Sequence, residues 1–239
     1  MKSDTRQSHD EYVKALTDIS RAITSDLFLE DLLKLIVMVT ANVTGVAICS
    51  LWLIEEIDGR PKIRLKATQA IAPEYVKDRS LNLTEGVVGY VATTKRPLII
   101  KNVLKSKRFK EKEMARKLGL ISMLSVPLEV KEEKVIGVLN CFTSEPHDFS
   151  ETEVNLITAV SNQAALAILN AELVVKTKVI QEELETRKII DRAKEIIMHR
   201  RGMKGDEAYR WIQKKSMDSR KSMRQVADAI LLSEEFYHT

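Results

Sequence analysis

Arg187, Lys194 and Arg201 recur every seven residues in the stretch TRKIIDRAKEIIMHRR, residues 186–201. On a helix of 3.6 residues per turn this spacing sets three cations along one edge. Ile190, Ala193 and Ile197 fall on an adjoining face, with Ile189 and Ile196 beside them. A helix that buries one face and offers a cationic ridge next to it suits a phosphate backbone. The same pattern also fits a solvated amphipathic helix whose charges only keep it soluble. Arg200 lies within the same stretch, and Lys204, Arg210, Lys214, Lys215, Arg220, Lys221 and Arg224 follow it. Arg200 lies close to the apolar stripe by its helical angle, which gives it a structural role as well. Tyr209 offers a ring that stacks on an unpaired base if exposed; alternatively it finishes a bundle surface. Trp211 shares the face of Ala208 and Ile212 and is assigned to a core.

The charge distribution singles out this end of the chain. Residues 1–186 hold 25 Lys+Arg against 26 Asp+Glu, and residues 187–239 hold 13 against 8. The net charge of +4 is therefore the tail's, and points to an anionic partner there. Catalysis finds no support. His9, His147, His199 and His238 are scattered without metal-ligand spacing, and the 8 glycines form no phosphate-cradling loop. No metal site, cofactor or catalytic residue is expected. Cys49 and Cys141 each sit in an apolar run and read as buried, reduced thiols. The start, MKSDTRQSHDEY, lacks the apolar core of a signal peptide, and no apolar run reaches membrane-spanning length. A cytoplasmic protein with no membrane partner is expected.

The elements that must position these residues follow from pattern. Ser8 and Glu11 have capping-box spacing for a helix to about Thr24. Leu27 to Thr44 predicts a more buried helix ended by Gly45. AICSLWLIE, residues 47–55, predicts a strand; Asp58-Gly59 predicts a hairpin turn into a strand over 62–70. Pro73 starts a turn in a less regular region. Glu85-Gly86-Val87 opens a short helix, LIIKN is a short strand, and a lysine-rich helix is predicted over 106–118. SMLSVPLEV and VIGVLNCFT form two more strands around a charged KEEK turn. Two hairpins with helices gathered on one face describe an α+β sheet domain.

Ser150 and Glu153 form another capping box, and no Pro or Gly follows until Gly202. One helix of about fifty residues is predicted, far longer than an isolated globular helix. Leu166, Leu169, Leu173, Ile180 and Leu184, with Thr177 between, mark an imperfect coiled-coil seam for a parallel homodimer through the 150–200 helix. After Gly202, Asp206 is the expected cap of one helix. Ser222 and Gln225 have capping-box spacing for a last one, with Met223, Val226, Ala227 and Ile230 inward.

Over about residues 180–233 the tail resembles the ANTAR family, the RNA-binding domain of bacterial transcription antiterminators. The matching pieces are Arg187, Ile190, Ala193-Lys194, Ile196-Ile197-Met198, Gly202, Glu207-Ala208, Ile212, Ser216-Met217 and Val226-Ala227. Gln213 departs where the family often has Arg, and Glu195 where it often has Gly. Residues 11–172 resemble a GAF domain, a small-molecule or interaction sensor, through the order of elements and through EGVVGYVATTKRPLII, SVPLEV and VIGVLN. Asn140 and Phe149 fall where some cyclic-nucleotide-binding members carry an Asn-Lys…Phe motif. Cys141 follows the Asn here, which argues against a cyclic nucleotide.

The resemblances imply an α+β protein: an antiparallel-sheet GAF domain over 11–172, then a coiled-coil connector and small three-helix ANTAR bundle over 173–239. They imply RNA stem-loops of leader transcripts as partner, and the tail's own chemistry makes Arg187, Lys194, Arg200, Arg201, Tyr209, Arg210, Lys214, Lys215, Lys221 and Arg224 the candidates to grip them. Trp52, Gln69, Tyr90 and Asn140 are the expected lining of a small-molecule pocket in the GAF domain. Two alternatives stay open: a sensing module whose basic tail binds an acidic protein, and a reader of double-stranded DNA.

Overall fold

The computed structural model describes residues 29–70, 79–131 and 134–235. The expected helix from Ser8, the turn at Pro73 and the Glu132-Glu133 tip of the KEEK turn lie outside them. The chain divides into two compact units, Met1–Glu172 and Leu173–Thr239.

The first unit is built on a sheet that has six strands among the described residues: β1 (Ile48–Ile57), β2 (Arg60–Thr68), β3 (Ser80–Asn82), β4 (Leu98–Ile100), β5 (Ser122–Val130) and β6 (Lys134–Thr143). Their order is β3-β2-β1-β6-β5-β4, and every neighbouring pair is antiparallel. Asp58 and Gly59 both take positive φ, 53° and 71°, as a two-residue hairpin turn of this hand requires. Both sheet faces are covered. Cys49, Leu51 and Leu53 of β1 point to one side, where α1 (Leu29–Thr44) and the start of α4 (Glu151–Arg201) bury Leu32, Ile36, Ile157, Ala164 and Ile168. Trp52 points to the other, against α2 (Gly86–Thr94), α3 (Lys112–Lys117) and the loop between β4 and α3. Two covered faces explain why residues 47–55 read as a nearly unbroken apolar run.

Helix boundaries have identifiable causes. Gly45, at φ 67°, donates its N–H to Ala41 O at 2.9 Å and ends α1. Ser150 and Glu153 close the capping box of α4: Glu153 accepts from Ser150 N–H at 2.7 Å, and Ser150 Oγ accepts from Glu153 N–H at 3.3 Å. The predicted helix over 106–118 shrinks to the six residues of α3. Asn102 Oδ1 takes the N–H groups of Leu104 and Lys105, and Ser106 Oγ takes that of Arg108. Side chains that capture the backbone in this way compete with helical hydrogen bonds.

Helix α4 runs unbroken for 51 residues. By length and composition one stretch of it would pass as a membrane span, contrary to the sequence expectation; 39% of that stretch is buried. In the second unit its last turns pack with α5 (Gly205–Ser219) and α6 (Met223–Glu235) around Ala193, Ile212 and Ala227, each fully buried.

Candidate nucleic-acid interface and sensor pocket

The tail's cations are sorted by the angle each holds around the buried Ala208–Ile212 ridge of α5. Tyr209 leaves one side of that ridge, Trp211 and Lys215 leave the other, and Arg210 and Lys214 point away from it, all exposed except the half-buried Trp211. Tyr209, 44% exposed, shares an open groove with Thr186, Arg187, Ile190 and Asp191 of α4 and Arg224 of α6. Arg224 Nη1 donates to Thr186 Oγ1 at 3.4 Å, which holds its guanidinium at the groove. Glu182 and Glu183 also line it, so the groove carries both signs. It offers a ring face, two guanidiniums and carboxylate acceptors, the inventory for holding a phosphate and an unpaired base together.

On the other side Arg201 lies over the Trp211 ring at 4.5 Å, and Lys215 Nζ is 5.8 Å from the same ring. Trp211 is thus half-buried rather than a core residue: one face packs on the bundle and the other attracts cations through its quadrupole. Lys194 is half-buried and donates to Asp191 at 2.8 Å. That hydrogen bond and the Asp191 charge hold the Lys194 amine above the ordinary lysine value. The Lys194 hydrogen bond in turn holds Asp191 below the usual carboxylate range. Arg200 ion-pairs with Glu234 and ties α4 to α6. Lys221 is exposed just after Arg220, which closes α5 at φ 55°, with Lys221 N–H donating to Ser216 O at 3.2 Å. The even ridge expected along α4 therefore splits into a groove cluster (Arg187, Arg224, Tyr209), a Trp211 cluster (Arg201, Lys215) and two cations engaged with acids (Lys194, Arg200). The α5 cap is also reassigned. Lys204 is the N-cap and donates its N–H to Glu207 at 2.9 Å, while Asp206 lies inside the helix.

In the first unit a largely enclosed cavity of about 50 Å³ lies between the sheet and the α2–α3 side. Trp52 and Asn140 line it, together with Ser50, Phe109, Met114 and Met123. Ser125 Oγ donates to Asn140 Oδ1 at 2.7 Å, Asn140 Nδ2 donates to Ser50 Oγ at 3.4 Å, and Trp52 Nε1 donates to the same oxygen at 3.2 Å. This buried chain crosses β5, β6 and β1 beneath the cavity. Arg79 and Glu111, 2.7 Å apart, also line it. Gln69 and Tyr90 do not belong to the lining. Gln69 Oε1 is taken by Cys49 N–H at 2.9 Å, and Tyr90 lies beneath the Arg108 guanidinium at 3.9 Å. Sequence reasoning missed Phe109, Met114 and Met123, because nothing in their spacing distinguishes pocket wall from core. Cys141 faces the opposite core, 3.5 Å from Cys49 Sγ, where the Cys141 thiol and burial push the Cys49 thiol well up.

Comparison with known proteins fits this division. The GAF domain family matches residues 26–169, which is more than half of the chain. The chain belongs to the GAF family. The ANTAR domain matches residues 178–231. The GAF domain of an Acinetobacter phosphoenolpyruvate-protein phosphotransferase is similar at 30% identity and a TM-score of 0.57, over 69% of this chain and 97% of that one. The corresponding Coxiella burnetii domain shares the fold at 23% identity and a TM-score of 0.58, over 68% and 95%. The transcriptional regulatory protein PdtaR of Mycobacterium tuberculosis is 33% identical over 87 residues, 36% of this chain. The chain spans 40% of PdtaR's length. The fold is thus a GAF sheet domain followed by a long helix and the short helices of an ANTAR domain.

Proposed function

We propose that the protein is a non-enzymatic, cytoplasmic regulator that binds RNA stem-loops in leader transcripts through its ANTAR domain and opposes transcription termination. Residues 11–172 act as the sensor, and residues 173–239 as connector and RNA-binding unit. The carrying observation is the coincidence of the ANTAR match with a bundle that presents Tyr209, Arg187 and Arg224 in one groove. The likeness to PdtaR, a transcriptional regulator by name, supports the regulatory role. A homodimer through the 150–200 helix would hold two stem-loops side by side and keep the terminator from forming. Leu173, Ile180 and Leu184 are 50%, 56% and 53% exposed in the single chain, as an unpaired seam would be. The GAF cavity, small and mostly apolar, would take a compact ligand rather than a cyclic nucleotide.

The test is hairpin RNA binding by the full chain with Arg187→Gln and Arg224→Gln together, and with Tyr209→Ala alone. The arginine pair should weaken binding at least tenfold, and Tyr209→Ala should cost about 1–3 kcal/mol, the range for loss of one stacked base. Unchanged affinity in both overturns the groove as the RNA site. Preference for duplex DNA of equal length overturns the RNA reading itself.

A further inference from the structure

We infer that the GAF domain carries a second polyanion-binding surface, a basic belt over residues 95–117, and that it contacts the same RNA as the tail. The inference rests on the RNA reading above. The belt holds ten Lys+Arg against two acids, Glu111 and Glu113, in a first unit whose charges otherwise balance toward the negative. Glu111 is engaged by Arg79, which removes one of the two acids from the field of the belt. Lys105, Lys107, Lys110 and Arg116 are exposed and form no ion pair among the described residues.

The belt is a fixed surface. Val103, Phe109 and Ala115 are buried at 0%, 5% and 0% exposure and pin it at three points along its length. Phe109 meets Phe142 of β6 edge-on at 6.0 Å. Between these anchors the Asn102 and Ser106 side chains fix the turns that carry Lys105 and Lys107 outward. The Arg108 guanidinium sits over the Tyr90 ring at 3.9 Å. Lys101 is already paired with Asp148 at 2.6 Å; Lys105, Lys107, Lys110 and Arg116 suit a phosphate backbone, because none of these four gives up a described ion pair on contact. A lipid surface is the weaker fit. Charge alone draws a basic surface to anionic lipid, but firm seating adds inserted apolar side chains, and in residues 95–117 the large apolar side chains that are strongly exposed reduce to Ile99, at 39%. The tail already supplies one cationic unit, and an RNA of several stems carries more phosphates than one such unit contacts.

The experiment measures the affinity of the full chain for a two-stem RNA across roughly 50–200 mM salt. Four proteins are compared. They are the wild type, a belt triple (Lys105→Gln, Lys107→Gln, Arg116→Gln), a control triple removing the same charge elsewhere on the GAF domain (Arg60→Gln, Lys131→Gln, Lys134→Gln), and the tail pair Arg187→Gln with Arg224→Gln. The belt triple should bind at least tenfold more weakly at the low-salt end. Its log–log salt slope should be shallower by about 2–3, since each lost phosphate contact removes about 0.7–0.9. The control triple should stay within about twofold of wild type, the range for distant charges screened by salt. A belt triple indistinguishable from the control overturns the belt while leaving the tail reading intact. Loss in the belt triple with no loss in the tail pair overturns the tail groove instead. A wild-type chain that binds no RNA overturns both.

Discussion

At the scale of single residues, one glycine and one carboxylate carry the sharpest consequences. A Cβ at Gly137 would stand 2.2 Å from Trp52 O and 2.9 Å from the Leu128 and Leu53 side chains, at the crossing of three strands. Gly137→Ala should therefore destabilise the GAF domain by about 2–3 kcal/mol or more, read as a lowered urea midpoint. Burial alone would push the Glu153 carboxyl up. Hydrogen bonds from the Ser150 N–H and hydroxyl and from His147 outweigh it and hold the pKa below the ordinary glutamate value. A depressed carboxylate pKa means the unfolded chain binds the proton more readily. The stabilisation is complete above the unfolded value and disappears as pH falls through the folded one. Glu153→Gln should flatten the acid limb of a stability-versus-pH curve below about pH 4.5 and leave its neutral-to-basic limb unchanged in shape. Retention of the wild-type acid limb would remove Glu153 from that account. Much at this scale was legible beforehand: the Asp58-Gly59 turn, the capping boxes at Ser150 and Ser222, and the buried thiols all follow from local chemistry. Gln69, Tyr90 and Trp211 were misplaced for a common reason. Whether a half-polar ring or amide faces a cavity, a backbone N–H or a cation depends on neighbours far away in sequence.

At the scale of elements, a capping box and the lack of Pro or Gly before Gly202 predicted the long helix, and apolar runs joined by turn residues predicted both central hairpins. Short strands and loop-bound helices were harder to read by periodicity. It missed β3, whose three residues are too few to show an alternation, and it overextended α3, where Asn102 and Ser106 redirect the backbone. The last helix has its own test. Ser222 Oγ accepts from Gln225 N–H at 3.2 Å and Gln225 Oε1 accepts from Ser222 N–H at 3.0 Å. Ser222→Ala should cost about 1 kcal/mol of tail stability, measured by thermal unfolding. The α4 stripe makes a second prediction at this scale. Ile180→Glu with Leu184→Glu should convert a dimer into a monomer in light scattering, since two charges per strand cannot be buried in a parallel seam. A dimer unaffected by that pair would place the contact elsewhere.

For the whole molecule, a GAF sheet domain with a small cavity precedes a helical unit that carries one cation cluster in the Tyr209 groove and another at Trp211. The GAF fold could be inferred from element order, and the ANTAR unit from ordered short matches. The grouping of Arg187, Arg224 and Tyr209 could not, because these residues sit on three helices and only packing around Ala193, Ile212 and Ala227 brings them to one groove. The most direct measurement is titration of a labelled leader-type RNA hairpin with the intact wild-type chain, repeated from low to moderate ionic strength. The account predicts saturable binding that weakens linearly in log–log form, with a slope set by several released counterions. Absence of binding at the lowest ionic strength, with the chain folded and dimeric, would contradict it.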